Sequence, residues 1–183
     1  MLWEIPDNER EYLRKLACKQ LEIASLPIMA ERRQMWYDLN DGKENARPPV
    51  VIETWTFDRD FMPADVYRCQ SDVGRGVEAQ LLRNIRQHEL INDDRVIADQ
   101  YYTGWFVSIE EYGGVHIGYR SAADSQGVNT GFEFIHPIKD LRTDLKLLKP
   151  AICSVDKEGT FAYINWLEDL LGDIMPVTLI GGP

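Results

Sequence analysis

Cysteine is scarce: Cys18, Cys69 and Cys153 are odd in number and far apart in 183 residues. That excludes a disulfide framework and makes the cytoplasm the expected compartment. Long apolar runs are missing too, none reaching the roughly 18 residues of a membrane span. The start, from Met1 to Arg10, lacks both the basic and the apolar region of a secretory leader. Neither export nor membrane insertion is therefore expected. Basic residues are the third shortage. Twenty Lys and Arg against thirty Asp and Glu leave a net charge of -10, opposite to what a phosphate-backbone binder needs, so nucleic acid is not an expected partner. Histidine is limited to His88, His116 and His136. With no H-x-x-x-H, C-x-x-C or His-Cys pair, no local metal motif exists; His88 reads as packed or half-buried on a helix face, His116 as part of a strand's alternation, and His136, before Pro137, as a hydrogen-bonding turn residue. The cysteines, with no base or cluster of positive charge beside them, read as inert.

What is present is an ordinary globular composition, 44% hydrophobic and 27% charged, at a length that buries a core without staples. The acidity is uneven: residues 1–49 hold nine acids and eight bases, and residues 50–183 carry the remaining net charge of -9. Asn8 with Glu11 resembles a capping box, and Leu13, Leu16, Ala17, Gln20, Leu21 and Ala24 follow at helical spacing. Pro27 suits the first turn of a second helix that stops at Asn40-Asp41-Gly42. Val50 to Trp55, rich in β-branched residues, reads as a strand. Ser71 caps a third helix with Val73, Val77, Leu81, Ile85 and His88 on one stripe, its first turn weakened by Gly74 and Gly76.

From Arg95 to His136 short β-rich runs (96–97, 103–109, 115–119, 132–136) alternate with glycines and read as hairpins. Asp140 starts a short helix, and Asp156 caps another with Phe161, Ile164, Leu167 and Leu171 on one face. An apolar strand from Ile174 to Ile180 then leads to Gly181-Gly182-Pro183. A continuous apolar strand after a helix is the pattern of a buried parallel sheet, whose other members this sequence does not obviously supply.

Several of these passages, taken in order, resemble the front of the uroporphyrinogen decarboxylase superfamily, particularly its decarboxylase-like and corrinoid-dependent methyltransferase-like branch. Leu16 to Leu21 followed by Pro27 to Arg33 and Trp36 is similar to the leading helical pair of that branch. Arg47-Pro-Pro-Val-Val-Ile-Glu53 resembles its first strand, and Ile85 to His88 with Asn92 to Val96 the step that follows. Phe134-Ile-His-Pro-Ile-Lys-Asp140, with Leu145 and Leu148-Lys-Pro150, is similar to a P-x-I-x-x-x-x-D-L-x-x-L-x-x-P region with altered spacing. Met175-Pro-Val-Thr-Leu-Ile-Gly-Gly-Pro183 resembles the strand that opens the main run of the barrel.

The resemblance implies an α/β fold in which N-terminal helices and β-hairpins lead into the first strand of a (β/α)8 TIM barrel, cut short at Pro183. The expected divisions are a helical segment 1–49, an α+β barrel front 50–150, and a helix with apolar strand 151–183. It covers nearly all of this chain but only the first half of such an enzyme, since barrels of this kind take about 250 residues. Family members decarboxylate a porphyrinogen without a cofactor, or move methyl groups between small substrates and a corrinoid or thiol, often with zinc. The implied partners are a small-molecule or tetrapyrrole substrate and a corrinoid protein. No cofactor is assigned to this chain itself, a corrinoid or zinc belonging to a full-length parent.

Residue by residue, Asp99 after Val96-Ile97-Ala98 falls near the catalytic aspartate, though Val-Ile-Ala-Asp-Gln departs from the family's Phe-Ser-Asp-Ile. By itself it is an ordinary solvated loop carboxylate. The substrate-binding Arg-Gln-Ala-Gly-Arg motif is absent; in its region Arg59 pairs with an anion or sits in an ion cluster with Asp58 and Asp60. Tyr101 and Trp105, with Tyr102 and Phe106, either line an apolar pocket for a flat ligand or pack a hairpin core. Gly181 and Gly182 are either a ligand loop or a plain turn. The missing arginine motif favours methyl transfer over decarboxylation. A free-standing α+β interaction or scaffolding module is the alternative.

Overall fold

The computed structural model describes residues 3–113, 115–125, 127 and 129–181. The chain forms two compact units, residues 3–104 with 160–181, and residues 105–159. Helix and strand are mixed, as expected.

In the first unit, α1 spans Asp7–Ala24 and α2 Pro27–Asn40, with Pro27 in the opening turn. The Asn8–Glu11 capping box does not form. Pro6 stands at the cap position without a side-chain hydrogen bond, and its carbonyl takes the Glu9 and Arg10 amides, while Glu11 pairs with Lys15 at 2.7 Å. Residues 50–54, expected as a strand, form none. Their polar backbone is satisfied by side chains instead: the Val50 and Ile52 amides donate to Asp94 Oδ2 and Asp93 Oδ2, both at 2.8 Å. A short helix α3, Asp58–Phe61, follows.

Helix α4, Asp72–Arg86, begins as expected, with the Ser71 hydroxyl accepting the Gly74 amide, and continues into a π-helical turn, Gln87–Ile91, closed by Asn92 at φ 54°. Residues 96–97 are not a strand. Ile97 is buried in irregular backbone, its amide against the Met29 sulfur at 3.5 Å. The strand comes later, as β1, Tyr101–Gly104.

In the second unit, β2 (Phe106–Glu110), β3 (Gly118–Ala123), β4 (Asn129–Ile135), α5 (Leu141–Asp144) and β5 (Ile152–Asp156) follow. β3 and β4 form a hairpin, with β3 at 118–123 rather than at the expected 115–119 and β4 starting earlier than the expected 132–136; β2 pairs antiparallel with β5, a strand the periodicity did not reveal. The 103–109 run divides at Gly104, since β1 pairs elsewhere. The Asp140 carboxylate caps α5 and Asp156 accepts the Gly159 amide at 2.8 Å, both as expected. No described residue of 105–159 is buried.

The chain enters α6, Lys157–Leu171, and ends in β6, Val177–Ile180. Phe161 is exposed and the buried face of α6 is Thr160, Leu167, Leu170 and Leu171. These leucines meet Leu13, Leu16 and Ala17 of α1, Val77, Leu81 and Ile85 of α4, and Met29, Ile97 and Met175 in one core. Strand β6 pairs in parallel with β1, Tyr101 opposite Val177 through Gly104 opposite Ile180.

Two devices fix this arrangement. Arg10 donates to the Asp169 carbonyl (2.6 Å) and carboxylate (2.7 Å), and Arg14 to the Leu170 carbonyl and both Asp173 carboxylate oxygens. The cations thus satisfy carbonyls at the negative end of α6. Between α1 and α4, two buried carboxylates hold four successive amides. Glu78 accepts from Arg68 and Cys69, and Glu9 accepts from Gln70, Ser71 and the Ser71 hydroxyl.

Candidate functional site

Parallel pairing makes the two ends of the β1–β6 pair chemically different. The C-terminal edge carries Gly104 and Ile180, followed by Trp105 and Gly181. Gly181 has φ +81°, a left-handed conformation that favours glycine. An added Cβ would meet nothing within 4 Å at either Gly104 or Gly181, so space at this edge is open. Conformation rather than crowding therefore demands glycine at 181. Gly182 lies outside the described residues.

Asp99 is at the other end. Because the strand begins at Tyr101 and not at Val96, Asp99 precedes β1 instead of following it, exposed at the N-terminal edge. Beside it the Thr178 hydroxyl donates to Gln100 Oε1, tying the start of β1 to β6. The carboxylate expected at a barrel mouth thus precedes the whole of β1, whose four residues alone span about 10 Å to the edge where strands of that kind deliver their chemistry.

Tyr101 is 4% exposed within the core. Burial, then the Tyr163 phenol to which it is hydrogen-bonded, pushes its hydroxyl well above the ordinary tyrosine range. Tyr163 also stacks on Trp166 at 5.6 Å and tilts against Trp3 at 5.3 Å. Tyr101 thus belongs to an interior aromatic cluster and presents no surface to a ligand. Trp105 is half-buried in the second unit, where it lines a cleft of about 580 Å³ with Phe106, Val107, Ser108, Ser154 and Asp156. Ser108 and Ser154 hydroxyls meet there at 2.6 Å.

Arg59 is exposed on α3 and takes part in no ion pair among the described residues. Its neighbour Asp58 faces Arg83 at 2.6 Å, close enough for an ion pair but not angled as a hydrogen bond. The structure does not bring Arg59, Asp99, Tyr101 and Gly181 together around one cavity: only Gly181 lies at the C-terminal strand edge, whereas Tyr101 is interior.

Besides Tyr101, groups with perturbed chemistry lie away from the candidates, around the link between α1 and α4. Burial alone would raise the Glu9 carboxyl, but hydrogen bonds from the Ser71 hydroxyl and the Gln70 and Ser71 amides outweigh it and hold the group below its ordinary range. Burial, with the Glu78 and Glu9 charges, pushes the Cys69 thiol up to about 12. The same causes, burial first and then Glu78, push the Tyr12 hydroxyl up to about 12. A thiol so placed is no nucleophile. A signal was present: Glu9 lies four residues before Leu13, and Glu78 three before Leu81, on the apolar stripes of their helices.

Among the described residues no group of three His, Cys, Asp or Glu side chains is placed to hold a metal ion, and no helix is long and apolar enough to cross a membrane. Comparison with family models, with curated proteins and with solved structures finds no match.

Proposed function

We propose that this chain supplies the front of a (β/α)8 barrel of the uroporphyrinogen decarboxylase type, with methyl transfer involving a corrinoid favoured over porphyrinogen decarboxylation. By itself it lacks a complete active site. The observation that carries the reading is the run β1, α6, β6: two parallel strands joined through a helix, the repeating unit of such barrels. The intervening unit, 105–159, departs from the chain directly after the C-terminal end of β1. Barrel enzymes carry their ligand loops on that side.

Methyl transfer is preferred because the decarboxylase features are missing where they are needed. No aspartate directly follows β1, Asp99 precedes it, and Arg59 lies on a short helix between two aspartates. The described side chains do not fit a zinc ion, and no step through a metal is assigned to them. What this chain would contribute is an open edge of glycine backbone against which a flat ligand can lie. A non-catalytic interaction module is the second reading, favoured by the exposed aromatic face of β3 and β4.

The test is to express the chain together with the polypeptide encoded after its Pro183 codon and supply methylcob(III)alamin with a thiol. Loss of the methylcobalamin absorbance, with no coproporphyrinogen formed from uroporphyrinogen, is the expected result. Coproporphyrinogen formation would replace methyl transfer by decarboxylation. An immediate stop codon would remove the barrel reading altogether.

A further inference from the structure

At the open end of the β3–β4 hairpin the second unit folds a cavity of about 380 Å³, its apolar walls Val115, Ile117, Ile138 and Leu148. That volume lies within the roughly 300–1,000 Å³ of ligand pockets. Three sets of contacts hold the walls. The hairpin register sets Gly118 opposite Ile135, so Ile117 and His136 flank its open end. On a second side the chain turns sharply through Tyr112 and Gly113, at φ 47° and 79°. There the Tyr112 carbonyl accepts the Lys149 amide at 3.2 Å, which brings Leu148 to the rim. A Cβ on Gly113 would lie 3.0 Å from the Lys149 side chain, so both conformation and space ask for glycine. A tyrosine in left-handed backbone is uncommon, and such residues collect at ligand clamps. On the third side Asp144 Oδ2 accepts the Lys139 and Asp140 amides, both at 2.9 Å. In a unit where no described side chain is buried, enclosure by three hydrogen-bonded segments marks this place.

Charge selects the occupant. The chain carries a net -10, yet no carboxylate lines the cavity, whereas Lys139 and His136 both do. The acids nearest Lys139 in sequence are engaged elsewhere. Asp140 Oδ1 accepts the Arg142 amide, and Asp144 accepts two amides and the Thr143 hydroxyl. Lys139 enters no ion pair among the described residues. An apolar hollow with an unpaired ammonium at its edge matches a molecule with a hydrocarbon body and one negative group. A phosphate ester would bring more charge than one ammonium balances; a carboxylate balances it one for one.

We propose that this cavity binds a small apolar monocarboxylate, its hydrocarbon body between Val115, Ile117, Ile138 and Leu148 and its carboxylate on the Lys139 ammonium beside His136. The inference stands apart from the barrel reading, since it concerns only the second unit.

Calorimetric titration of the whole chain with octanoate, octanol and octylammonium tests it. Saturation at one octanoate per chain is expected. Octanol, with the same tail and no charge, should bind about tenfold more weakly, the effect of losing one charge-assisted hydrogen bond. Octylammonium should bind more weakly still, although the net charge of the chain attracts it. Lys139→Met should lower octanoate affinity by about tenfold and leave octanol unchanged, and Lys139→Arg should keep the affinity of the parent. Val115→Asp should abolish both. Amide exchange over residues 118–135 reports whether each variant keeps the hairpin. If Val115→Asp loses it, Leu148→Ala, which should weaken octanoate and octanol alike, is judged in its place. The comparison of the three ligands on the parent chain needs no variant. Absence of saturable binding, octanol or octylammonium binding as tightly as octanoate, or octanoate affinity indifferent to Lys139→Met would each overturn the proposal.

Discussion

Two glycines in the first turn of α4 sit two residues apart and have opposite reasons to be there. A Cβ on Gly74 would lie 2.5 Å from the Ser71 hydroxyl oxygen and 2.6 Å from Glu9 Oε2. The residue is small because the Glu9 carboxylate and the helix cap converge on its backbone. A Cβ on Gly76 meets nothing within 4 Å. Gly76→Ala should therefore raise stability by about 0.5–1 kcal/mol, the ordinary gain of replacing an exposed helical glycine. Gly74→Ala should lower it by about 1–3 kcal/mol, as forced overpacking does. Urea midpoints of the two variants against the parent decide the matter, with opposite displacements expected. Composition alone treats both glycines as weaknesses of the helix; only the carboxylate arriving from α1 distinguishes them.

At the scale of elements, the longer helices were legible, whereas the short α3, the strand β5 and the irregular segments were not. Apolar residues at helical spacing located α1, α4 and α6, Pro27 and the Asn40-Asp41-Gly42 stop located α2, and Ser71, Asp140 and Asp156 marked three starts through their own caps. Residues 50–54 carry the β-branched pattern of a strand, but Asp93 and Asp94 take their amides in place of a neighbouring backbone, an alternative that side-chain carboxylates offer and propensity does not record. Asp99 was misplaced by the same displacement of the strand to Tyr101. The carboxylate link between α1 and the segment before α4 was hidden because acidic residues on helices are ordinarily solvated. Its consequence is a pH dependence whose sign is fixed. Glu9 is held below its ordinary value of 4.5, so its contribution to stability is complete above the unfolded value and is lost as pH falls through the folded one. Urea denaturation from pH 7 down to pH 3 should show the midpoint falling below about pH 4.5. In Glu9→Gln that component should be absent and the midpoint at pH 7 already reduced; identical pH profiles would show that Glu9 carries no such linkage.

On the scale of the whole molecule, burial is concentrated in the first unit: every residue of the described core belongs to it, and none belongs to 105–159. A segment without buried side chains adds little to the stability of the core that precedes and follows it in the chain. The first unit is discontinuous in sequence, closed only by the return of α6 and β6. Because α6 leads through a short turn into the start of β6, parallel to β1, and spans roughly 22 Å of helix, it must begin near the end at which β1 finishes. Joining Gly104 to Thr160 through about four residues is thus within the usual length of a strand-to-helix connection. The shortened chain should fold with a urea midpoint close to that of the parent, because the Leu13, Leu81 and Leu167 core and the Arg10 and Arg14 clamps on α6 are all retained. Limited proteolysis of the intact chain should first cut between Trp105 and Gly159, leaving 3–104 and 160–181 associated. The measurement is the midpoint and cooperativity of the shortened protein; a loss of cooperative unfolding would mean that the intervening unit is part of what holds β6 against β1.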